Sequence, residues 1–443
     1  MKTVTVVIAL VALALSGSGS AQQSLDKGKL DRFLERLAEK NKGMGSLTIA
    51  RDGEVLYSRA VGYSHINGTE KTPATPATKY RIASITKPYK AVMVLKLVEE
   101  RKLQLGDTLD RFLPQIPNAT KITIGHILGH RSGLPRLAPD GSWGKQARTR
   151  EEIIARIAQG QPQFEPDAKH QYSNEGYILL GYVVEKAGGK PYQDALKERI
   201  TAKIGASDTY YLTTGNTSPA RNESTSYRYF DGWKEAEELD FSVPGAAGAI
   251  LSTPTDMTKF IQALFDLKLV SKASLTMMTT MKDGEGMGME PHAFAGKSCY
   301  GHTGGSGSSG AWLTYCPDEK LALAYTTNMK IFPVKDIVSG VFDIYANRPF
   351  EIPTFDPVAV SPDVLDRYVG VYSPAGAAVK LTITRRGGTL YFQPPGEQSA
   401  VSLEAIAQDK FKIDPGVVFE FDAAKGEMRI TRPNGTRVFI KEK

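Results

Sequence analysis

Apolar residues recur along the first three quarters of the chain with two different periods, which predict two kinds of element. The shorter period alternates apolar and polar positions and predicts strands at 46–51, 55–63, 300–304, 310–315 and 321–327. The helical period of three to four residues predicts helices at 25–42, 84–100, 151–159, 176–186, 192–204, 255–269 and 334–345. Strands near both ends with helices between them predict an α+β fold, with one antiparallel sheet flanked by helices and a mainly helical subdomain.

The pattern changes at 349–362, where four prolines in a short stretch predict a linker. Beyond this linker only short alternating runs remain, and turn signals separate them at Gly387-Gly388 and Asn434-Gly435. The runs predict strands at 368–372, 379–384, 389–392, 417–421, 428–431 and 438–441. We therefore expect a domain at 22–348 and a small all-β barrel at 363–443.

Length and charge narrow the class of protein only slightly. A chain of 443 residues is too long for one compact core, which agrees with more than one domain. The net charge of +7 is spread along the chain without a basic run, so nucleic-acid binding is not expected. The oligomeric state stays open.

The N-terminal stretch has the features of a secretory signal. Lys2 supplies the positive end, residues 4–15 are apolar, and Gly19-Ser20-Ala21 resembles a cleavage site, which predicts a signal peptide at 1–21. No later stretch approaches the roughly 18 continuous apolar residues of a membrane span. We expect an exported protein, secreted or periplasmic, without a transmembrane helix in the mature chain. A retained N-terminal anchor is the alternative.

Two cysteines, Cys299 and Cys316, flank a turn rich in glycine and serine between two predicted strands. They either form a disulfide across a hairpin or remain two buried thiols. Both alternatives make them structural residues, because nothing in the sequence marks either one as a nucleophile.

The first candidate for chemistry is the pair Ser84 and Lys87, three residues apart at the start of the predicted helix 84–100. In a helix this spacing puts both side chains on one face. A serine hydroxyl needs a base to become a nucleophile, and a lysine serves as that base only if burial or a nearby positive charge lowers its pKa. The helix N-terminus favours a developing oxyanion. The same S-x-x-K spacing occurs at Ser24/Lys27 and Ser142/Lys145, but neither of these opens a long helical pattern.

Two further motifs follow in order, Tyr172-Ser173-Asn174 before a predicted helix and His302-Thr303-Gly304-Gly305 at the end of a predicted strand. Together with Ser84-x-x-Lys87 they resemble the S-x-x-K, Y-x-N and [K/H]-T-G motifs of the serine β-lactamase and penicillin-binding-protein superfamily. The likeness is greatest to the branch of class C β-lactamases, D-alanyl-D-alanine carboxypeptidases and family VIII esterases.

The resemblance covers roughly residues 27–345. It includes His130-Arg131-Ser132-Gly133-Leu134-Pro135, where this family often has H-T-S-G-L-P. The C-terminal strands resemble the lipocalin-like domain that some members carry. One departure is His302, where the lactamases usually have lysine. A second Y-x-N, Tyr345-Ala346-Asn347, falls too late in the chain to be the motif.

The resemblance implies that Ser84 is the nucleophile of an acyl-enzyme. Lys87 and Tyr172 share the proton transfers, and either of them can be the base. Tyr172 would be the base if two neighbouring cations lowered the pKa of its phenol. Asn174 is expected to donate a hydrogen bond to the substrate or to Lys87.

The third motif is expected to form the strand edge of the site. His302 would orient Tyr172 or bind the polar end of the substrate, and a carboxylate would require its imidazolium form. Thr303 supports the substrate, and Gly304 and Gly305 permit a close approach of the backbone. By family analogy, the N–H groups of Gly305 and Ser84 form the oxyanion hole.

No metal and no cofactor are expected. His126 and His130 lie four residues apart, but the chain has no H-E-x-x-H motif and no obvious third ligand. The resemblance implies a serine hydrolase acting on a small amide or ester, as a peptidase for D-amino-acid peptides or as a carboxylesterase. Hydrolysis of β-lactams is one alternative. A non-catalytic protein that binds peptidoglycan peptides is the other.

Overall fold

The computed structural model describes residues 25–135, 143–229, 232–374, 379–393, 400–413, 416–432 and 435–442. The predicted signal peptide at 1–21 lies outside these residues, as does Asn434 of the second predicted turn.

The described residues form ten α-helices, several of them in the middle of the chain. They are α1 Lys27–Glu39, α2 Thr86–Glu99, α3 Ile124–Leu128, α4 Arg150–Ala158, α5 Asn174–Gly188, α6 Tyr192–Leu196, α7 Pro254–Phe265, α8 Lys272–Thr279, α9 Val334–Tyr345 and α10 Pro362–Tyr368. None of these helices is both long and apolar enough to cross a bilayer.

The strands form two groups along the chain, one before and one after the proline-rich segment. Those of the first part are β1 Gly45–Arg51, β2 Glu54–Val61, β3 Tyr63–Asn67, β4 Glu70–Pro73, β5 Tyr80–Arg81, β6 Tyr210–Tyr211, β7 Tyr227–Tyr229, β8 Trp233–Glu235, β9 Ile250–Ser252, β10 Glu290–Phe294, β11 Lys297–Ser306, β12 Ser309–Cys316 and β13 Leu321–Thr327. Those of the second part are β14 Gly370–Ser373, β15 Leu381–Arg386, β16 Thr389–Gln393, β17 Val401–Ala405, β18 Lys410–Ile413, β19 Val417–Asp422, β20 Glu427–Arg432 and β21 Gly435–Lys441.

A six-stranded antiparallel sheet organises the first part, in the order β10-β11-β12-β13-β1-β2. Its strands alternate between two buried faces, as the period of two requires. On β13, Leu323 and Tyr325 pack against α1 and α9, whereas the small residues Ala322 and Ala324 face the larger core around α2, α5 and α7. This arrangement confirms the predicted α+β fold, and it places the edge of β11 beside the helical subdomain.

The two cysteines form a disulfide between β11 and β12. Their neighbours Tyr300 and Tyr315 pair directly in the ladder, which brings Cys299 and Cys316 opposite each other. Of the two alternatives left open by the sequence, the bridge is the one that forms.

The C-terminal strands β14 to β21 close into a barrel, each pairing with the next and β14 with β21. This confirms the predicted small all-β barrel. The sequence pattern missed β17, β18 and α10. The strand predicted at 368–372 corresponds to β14, which begins two residues later, at Gly370, because α10 runs to Tyr368. Pro362 in the first turn of α10 explains the difference, since its fixed φ suits a helix start.

The proline-rich segment before α10 lies against both parts of the chain. Lys42, which follows α1, forms an ion pair with Glu404 of the barrel. Within the segment, the N–H of Val358 donates to the carbonyl of Ala405 at 2.9 Å, and Phe355 packs edge-on against Phe332. The barrel is therefore docked at the end of α1, and the segment between the two parts contacts each of them, through Phe355 and Val358.

Helix α2 is buried on nearly all sides and carries two lysines without solvent exposure, Lys87 and Lys90. The Lys90 ammonium nitrogen lies 3.6 Å from the centre of the Tyr192 ring and has no hydrogen-bond partner within the described residues. Burial lowers the pKa of Lys90 well below its ordinary value, against the opposing charge of Glu185. Burial therefore favours the neutral amine form of Lys90 in the folded protein.

Replacing Lys90 with methionine should stabilise the fold. Because the unfolded chain binds the Lys90 proton more tightly than the folded protein, the stability of the wild type rises as the pH approaches the ordinary lysine pKa of about 10.4. We expect Lys90→Met to raise the thermal unfolding midpoint by about 2–5 °C at pH 7, with a smaller gain at pH 9.5. Lys96→Met on the same helix is the control, because it removes a hydrogen bond to the Leu269 carbonyl. An unchanged or lower midpoint for Lys90→Met would contradict the neutral buried amine.

Candidate active site

The first two sequence motifs meet at one point between α2 and α5. The Ser84 hydroxyl oxygen lies 3.0 Å from Lys87 Nζ and 2.9 Å from the hydroxyl of Tyr172. Asn174, the first residue of α5, contacts the same lysine. The structure thus brings together Ser84, Lys87, Tyr172 and Asn174, although the two motifs are far apart in sequence.

Ser84 lies in a tight 3-10 turn, Ala83–Ile85, just before α2 begins at Thr86. The residue before it, Ala83, has a φ of +45°, which is unusual for a residue with a side chain. Such backbone strain persists only where the surroundings fix it. Here β5 pairs with β9 just before the turn, and the N–H of Ile82 donates to the carbonyl of Ile250. The turn aims the hydroxyl of Ser84 at Lys87.

Lys87 Nζ is surrounded by three oxygen atoms and shielded from water. Besides Ser84, it contacts the side-chain oxygen of Asn174 at 2.8 Å and the carbonyl of Ala247 at 3.2 Å. The turn that carries Ala247 packs close to α5 because Gly181 has no side chain; a Cβ there would lie 2.5 Å from the Cβ of Ala246. Burial lowers the pKa of Lys87 to about 7, although the carboxylates of Glu290, Glu285 and Glu175 act in the opposite direction.

These contacts match the bonding capacity of a neutral amine. A neutral amine has two N–H groups and one lone pair. The amide oxygen of Asn174 and the carbonyl of Ala247 can only accept, so they take the two N–H groups. The lone pair is left for the hydroxyl of Ser84, which is able to donate. In its neutral form, Lys87 is thus arranged to accept the Ser84 proton.

The pKa of Tyr172 is shifted in a direction opposite to that of Lys87. Burial raises the pKa of its phenol well above the ordinary range, and the carboxylates of Glu290 and Glu285 add to this effect. The sequence-based reasoning allowed for neighbouring cations that would lower this pKa. The pKa of Tyr172 is raised instead, because these neighbours, Lys87 and His302, are buried and burial disfavours their charged forms. Tyr172 therefore stays protonated and donates to the Ser84 oxygen.

His302 lies on β11 behind Tyr172, and the centres of the two rings are 6.3 Å apart. Its Nδ1 is 2.6 Å from the carbonyl of Thr303, so this nitrogen carries the proton. Burial lowers the pKa of His302 to about 4, even though Glu290 lies nearby. At neutral pH the ring is uncharged, which differs from the imidazolium expected for binding a carboxylate. The reason is that desolvation of the buried ring outweighs the attraction of the Glu290 carboxylate, whose oxygen lies 3.5 Å from His302 Nδ1.

Glu290 is a site residue that the sequence did not reveal. It lies at the first position of β10, and its carboxylate accepts from the N–H of Thr303 at 2.8 Å and from the Thr303 hydroxyl at 3.3 Å. Burial would raise the pKa of Glu290, but His292, His302 and this backbone N–H lower it to about 2. The ionised carboxylate thus fixes the strand edge beside His302. No sequence signal marked this residue, since 283–297 shows no clear periodicity.

Gly304 and Gly305 differ in the space available for a side chain. A Cβ on Gly304 would lie 2.2 Å from the carbonyl oxygen of Ile82, so β11 reaches the turn that holds Ser84 only because Gly304 has no side chain. A Cβ on Gly305 would meet Lys330 Nζ at 3.4 Å, an ordinary contact with a flexible group. Gly305 borders the open space next to Ser84.

That space is a cavity of about 360 Å³. Ser84, Tyr172, Asn174 and Gly305 line one side of it. The remaining wall combines apolar groups with a few charged ones, namely Trp143, Ile178, Leu239, Val243, Pro244, Arg81, Arg156 and Glu175. Part of this wall, namely Trp143, Arg156 and residues from 239–244, comes from stretches that carry no functional signal in the sequence. Its size and mixed lining suit a small organic substrate with an apolar portion.

His126 and His130, the residues considered for metal binding, direct their Nδ1 atoms at protein groups. His126 accepts from the N–H of Thr123 at the start of α3, and His130 accepts from the N–H of Ser173. Across the described ranges, no group of three or more His, Cys, Asp or Glu residues is arranged to hold a metal ion.

Comparison with known proteins identifies relatives over most of the chain. A protein-family model described as Beta-lactamase matches residues 30–338. Penicillin-binding protein 4* of Bacillus subtilis (strain 168) is 28% identical over 402 residues, which covers 83% of this chain and 87% of that protein. The D-alanyl-D-alanine-carboxypeptidase/endopeptidase AmpH of Escherichia coli (strain K12) is 27% identical over 241 residues, 53% of this chain and 60% of that protein's length.

Solved structures show the same fold. The D-amino acid amidase from Ochrobactrum anthropi SV3, complexed with L-phenylalanine, has a TM-score of 0.64 and 27% identity, covering 72% of this chain and 98% of that one. The octameric penicillin-binding protein homologue from Pyrococcus abyssi has a TM-score of 0.64 and covers 94% of this chain and 100% of that one. At 24% identity, the second comparison shows a likeness of fold alone.

Two glycine variants test the packing of β11 against the serine turn. Gly304→Ala forces a Cβ against the Ile82 carbonyl, so either β11 or the serine turn must shift. We expect Gly304→Ala to slow labelling of Ser84 by a fluorophosphonate about a hundredfold, the usual cost of a displacement near 1 Å. Gly106→Ala is the control, because a Cβ there meets no atom within 4 Å, and it should change the labelling rate by no more than about threefold. Equal rates for the two variants would show that this contact does not position Ser84.

Proposed function

The chain belongs to the beta-lactamase family, and we propose that it is a serine hydrolase that cleaves small amides and esters through an acyl-enzyme on Ser84. The observation that carries the proposal is the contact of the Ser84 hydroxyl with a buried amine whose pKa is about 7. A lysine with an ordinary pKa would be protonated at neutral pH and unable to act as a base.

We propose that Lys87 is the general base of acylation. Its lone pair takes the proton of Ser84 while the serine oxygen attacks the substrate carbonyl carbon. The carbonyl oxygen becomes an oxyanion between the N–H groups of Ser84 and Gly305. Two features support this role: the neutral state that burial gives Lys87, and the two acceptors that orient its N–H groups.

Tyr172 is assigned the opposite role, that of the acid. Its phenol is protonated and donates to the Ser84 oxygen, so it lies close to the bond that breaks when the tetrahedral intermediate collapses. Tyr172 passes its proton to the departing nitrogen or oxygen, which leaves with the electron pair of the broken bond. The protonated Lys87 then returns a proton to the phenolate. Water then attacks the acyl carbonyl while Lys87 again accepts a proton, and this proton passes to the Ser84 oxygen as the bond to the acyl group breaks and the acid is released.

The remaining members of the site hold this arrangement. Asn174 accepts from Lys87 and keeps its own N–H₂ group for a substrate carbonyl. His302 and Thr303 form the strand edge along which the substrate lies, and Gly304 lets that edge approach Ser84. Glu290 fixes the edge through the N–H of Thr303.

The substrate class proposed is an amide or ester of an apolar amino acid in the D-configuration. The apolar wall of the cavity, with Ile178, Leu239 and Val243, supports an apolar side chain on the acyl part. The likeness to the D-amino acid amidase of Ochrobactrum anthropi supports a D-configured amide. The match to the D-alanyl-D-alanine-carboxypeptidase/endopeptidase AmpH supports the related class of D-amino-acid peptides.

We further propose that the hydrolase comprises a domain at 22–348, joined by the segment 349–362 to a barrel domain at 363–443. The separate apolar core inside the barrel supports this division. Export is proposed from the signal-like stretch 1–21. The intact mass of protein purified from the host's exported fraction reports directly whether these residues have been removed.

The nucleophile is tested by the intact mass of the protein after treatment with a fluorophosphonate or with benzylpenicillin. We expect the wild type to gain the mass of one fluorophosphonyl group and Ser84→Ala to gain none. Ser142→Ala is the control, because it removes a serine with the same S-x-x-K spacing and should leave labelling intact. Rapid penicilloate formation would move the assignment to β-lactam hydrolysis. The absence of any adduct or turnover would leave only a binding function.

The base is tested by the pH dependence of kcat/KM. Lys87 must lose its proton to act, so we expect kcat/KM to rise with pH, to reach half its maximum near pH 7 and to fall about tenfold per unit below pH 6. Lys87→Arg keeps a cation that does not deprotonate, and we expect it to lower kcat by about 10²–10⁴ while the protein stays folded. A flat profile between pH 5 and 8 would exclude Lys87 as the base.

A further inference from the structure

His130, which opens the His130–Pro135 motif, has no part in the mechanism above, yet it contacts Tyr172 directly. The two rings stack with their centres 4.4 Å apart and their planes inclined by 24°. His130 is only 1% exposed, so this contact lies in the interior. The phenol that donates to the Ser84 oxygen is therefore supported from behind by an imidazole ring.

His130 also holds the backbone on both sides of Tyr172. The N–H of Gln171 donates to the His130 carbonyl at 2.8 Å, and the N–H of Ser173 donates to His130 Nδ1 at 3.0 Å. The residue before Tyr172 and the residue after it are thus bonded to the residue that stacks on its ring. Three contacts from one residue fix the position of the phenol.

The backbone of His130 is adapted to this position. Its φ is +54°, in the left-handed region that is uncommon for residues with a side chain, although histidine, asparagine and aspartate adopt it more often than the others. Such a conformation is retained when the surrounding contacts fix it. Here the carbonyl and the ring of one residue face consecutive parts of the segment 171–173.

The bond to Ser173 also determines where the imidazole carries its proton. Because Nδ1 accepts a hydrogen bond, a neutral ring has its proton on Nε2. Nε2 lies 3.6 Å from a carboxylate oxygen of Glu285, and the same oxygen is 3.2 Å from Nε2 of His170. The remaining groups that face His130 are Lys87, His302 and the ring of Tyr177. A doubly protonated ring could no longer accept from Ser173.

We propose that His130 is a positioning residue for Tyr172, which as a neutral imidazole holds the phenol in line to protonate the leaving group. The inference rests on the proposed function, in which Tyr172 is the acid. Burial and the nearby Lys87 and His302 lower the pKa of His130 well below its ordinary value, in agreement with a neutral ring.

This role makes a distinctive chemical prediction, because substrates differ in how much they need the acid. When a C–N bond of an amide breaks, the nitrogen must gain a proton from Tyr172 as it takes the bonding electron pair. A 4-nitrophenolate leaves a 4-nitrophenyl ester as a stable anion and needs no proton. Misplacing the phenol therefore slows amide cleavage and has little effect on the ester.

Two variants separate the two kinds of contact. His130→Asn places an amide oxygen where Nδ1 was, accepts from the N–H of Ser173 and tolerates the positive φ, but it removes the stacked ring. His130→Phe keeps an aromatic ring against Tyr172 and removes the acceptor. Each variant is assayed on the amide and on the 4-nitrophenyl ester of the same apolar D-amino acid. Should one of them fail to fold, the other still removes a contact and carries the test.

We expect each variant to lower kcat for the amide at least tenfold more than kcat for the ester, with KM for both substrates changed less than threefold. Tyr172→Phe should show the same selective loss on the amide. His126→Asn is the control, since His126 caps α3 without contacting Tyr172, and its effect should be equal on both substrates.

The possible outcomes are distinct. Equal losses on amide and ester for the His130 variants, or no loss on either, would overturn the positioning role while leaving the hydrolase intact. A wild type that cleaves neither substrate and takes up no fluorophosphonate would overturn the proposed function itself, and the role of His130 with it. A selective loss on the amide shared with Tyr172→Phe supports both.

Discussion

The burial of one amine, Lys87 Nζ, is the constraint on which the candidate site depends. In water a lysine amine is protonated at neutral pH and binds the serine oxygen only as a donor. Placed without solvent exposure between α2, α5 and the turn at Ala247, it loses most of its preference for the charged form. Ser84 then has a base beside it, and every group that keeps water away from this amine contributes to the chemistry.

The carboxylates near the site raise the pKa of Lys87, in opposition to burial, but each of them also interacts with polar groups other than the lysine. Glu290 and Glu285 both favour a protonated Lys87. Glu290 directs its charge at the N–H and hydroxyl of Thr303, while the ring of His170 approaches Glu285. Each carboxylate is thus stabilised by polar groups of its own, so that desolvation outweighs their attraction for a proton on the lysine. The same charges help to keep Tyr172 protonated.

The sequence predicted the parts of the site that local patterns determine. The S-x-x-K spacing at the start of a helix predicted that Ser84 and Lys87 lie close together. The order of the three motifs predicted that Tyr172 and His302 belong to the same site. Other parts depend on packing between distant segments. The neutral state of His302 results from its burial, and the carbonyl of Ala247 reaches Lys87 because Gly181 lets the turn at 245–247 approach α5. Neither can be read from residue types.

The fold shows the same division. The long helices and five of the six strands of the central sheet follow clear periods and were predicted, as was the closed barrel; β10 was missed because 283–297 has no clear period. Short elements were missed: α3 has five residues within a stretch rich in turns, and the barrel strands β17 and β18 mix lysine and glutamate with their apolar positions. Such segments are stabilised by their neighbours in the sheet or the core, so their own pattern is weak.

The position of the barrel determines which part of the chain contacts the substrate. Each described residue that lines the cavity lies between Arg81 and Gly307, whereas the barrel is docked through Glu404 and Ala405 beside the end of α1. In the proposed function, the acyl group therefore contacts the wall formed by side chains such as Trp143, Leu239 and Val243. Relatives that share the Ser84, Lys87 and Tyr172 arrangement but differ at these wall positions would differ in the acyl groups they accept, because the hydrogen bonds of Lys87 are made to Ser84, Asn174 and Ala247 instead.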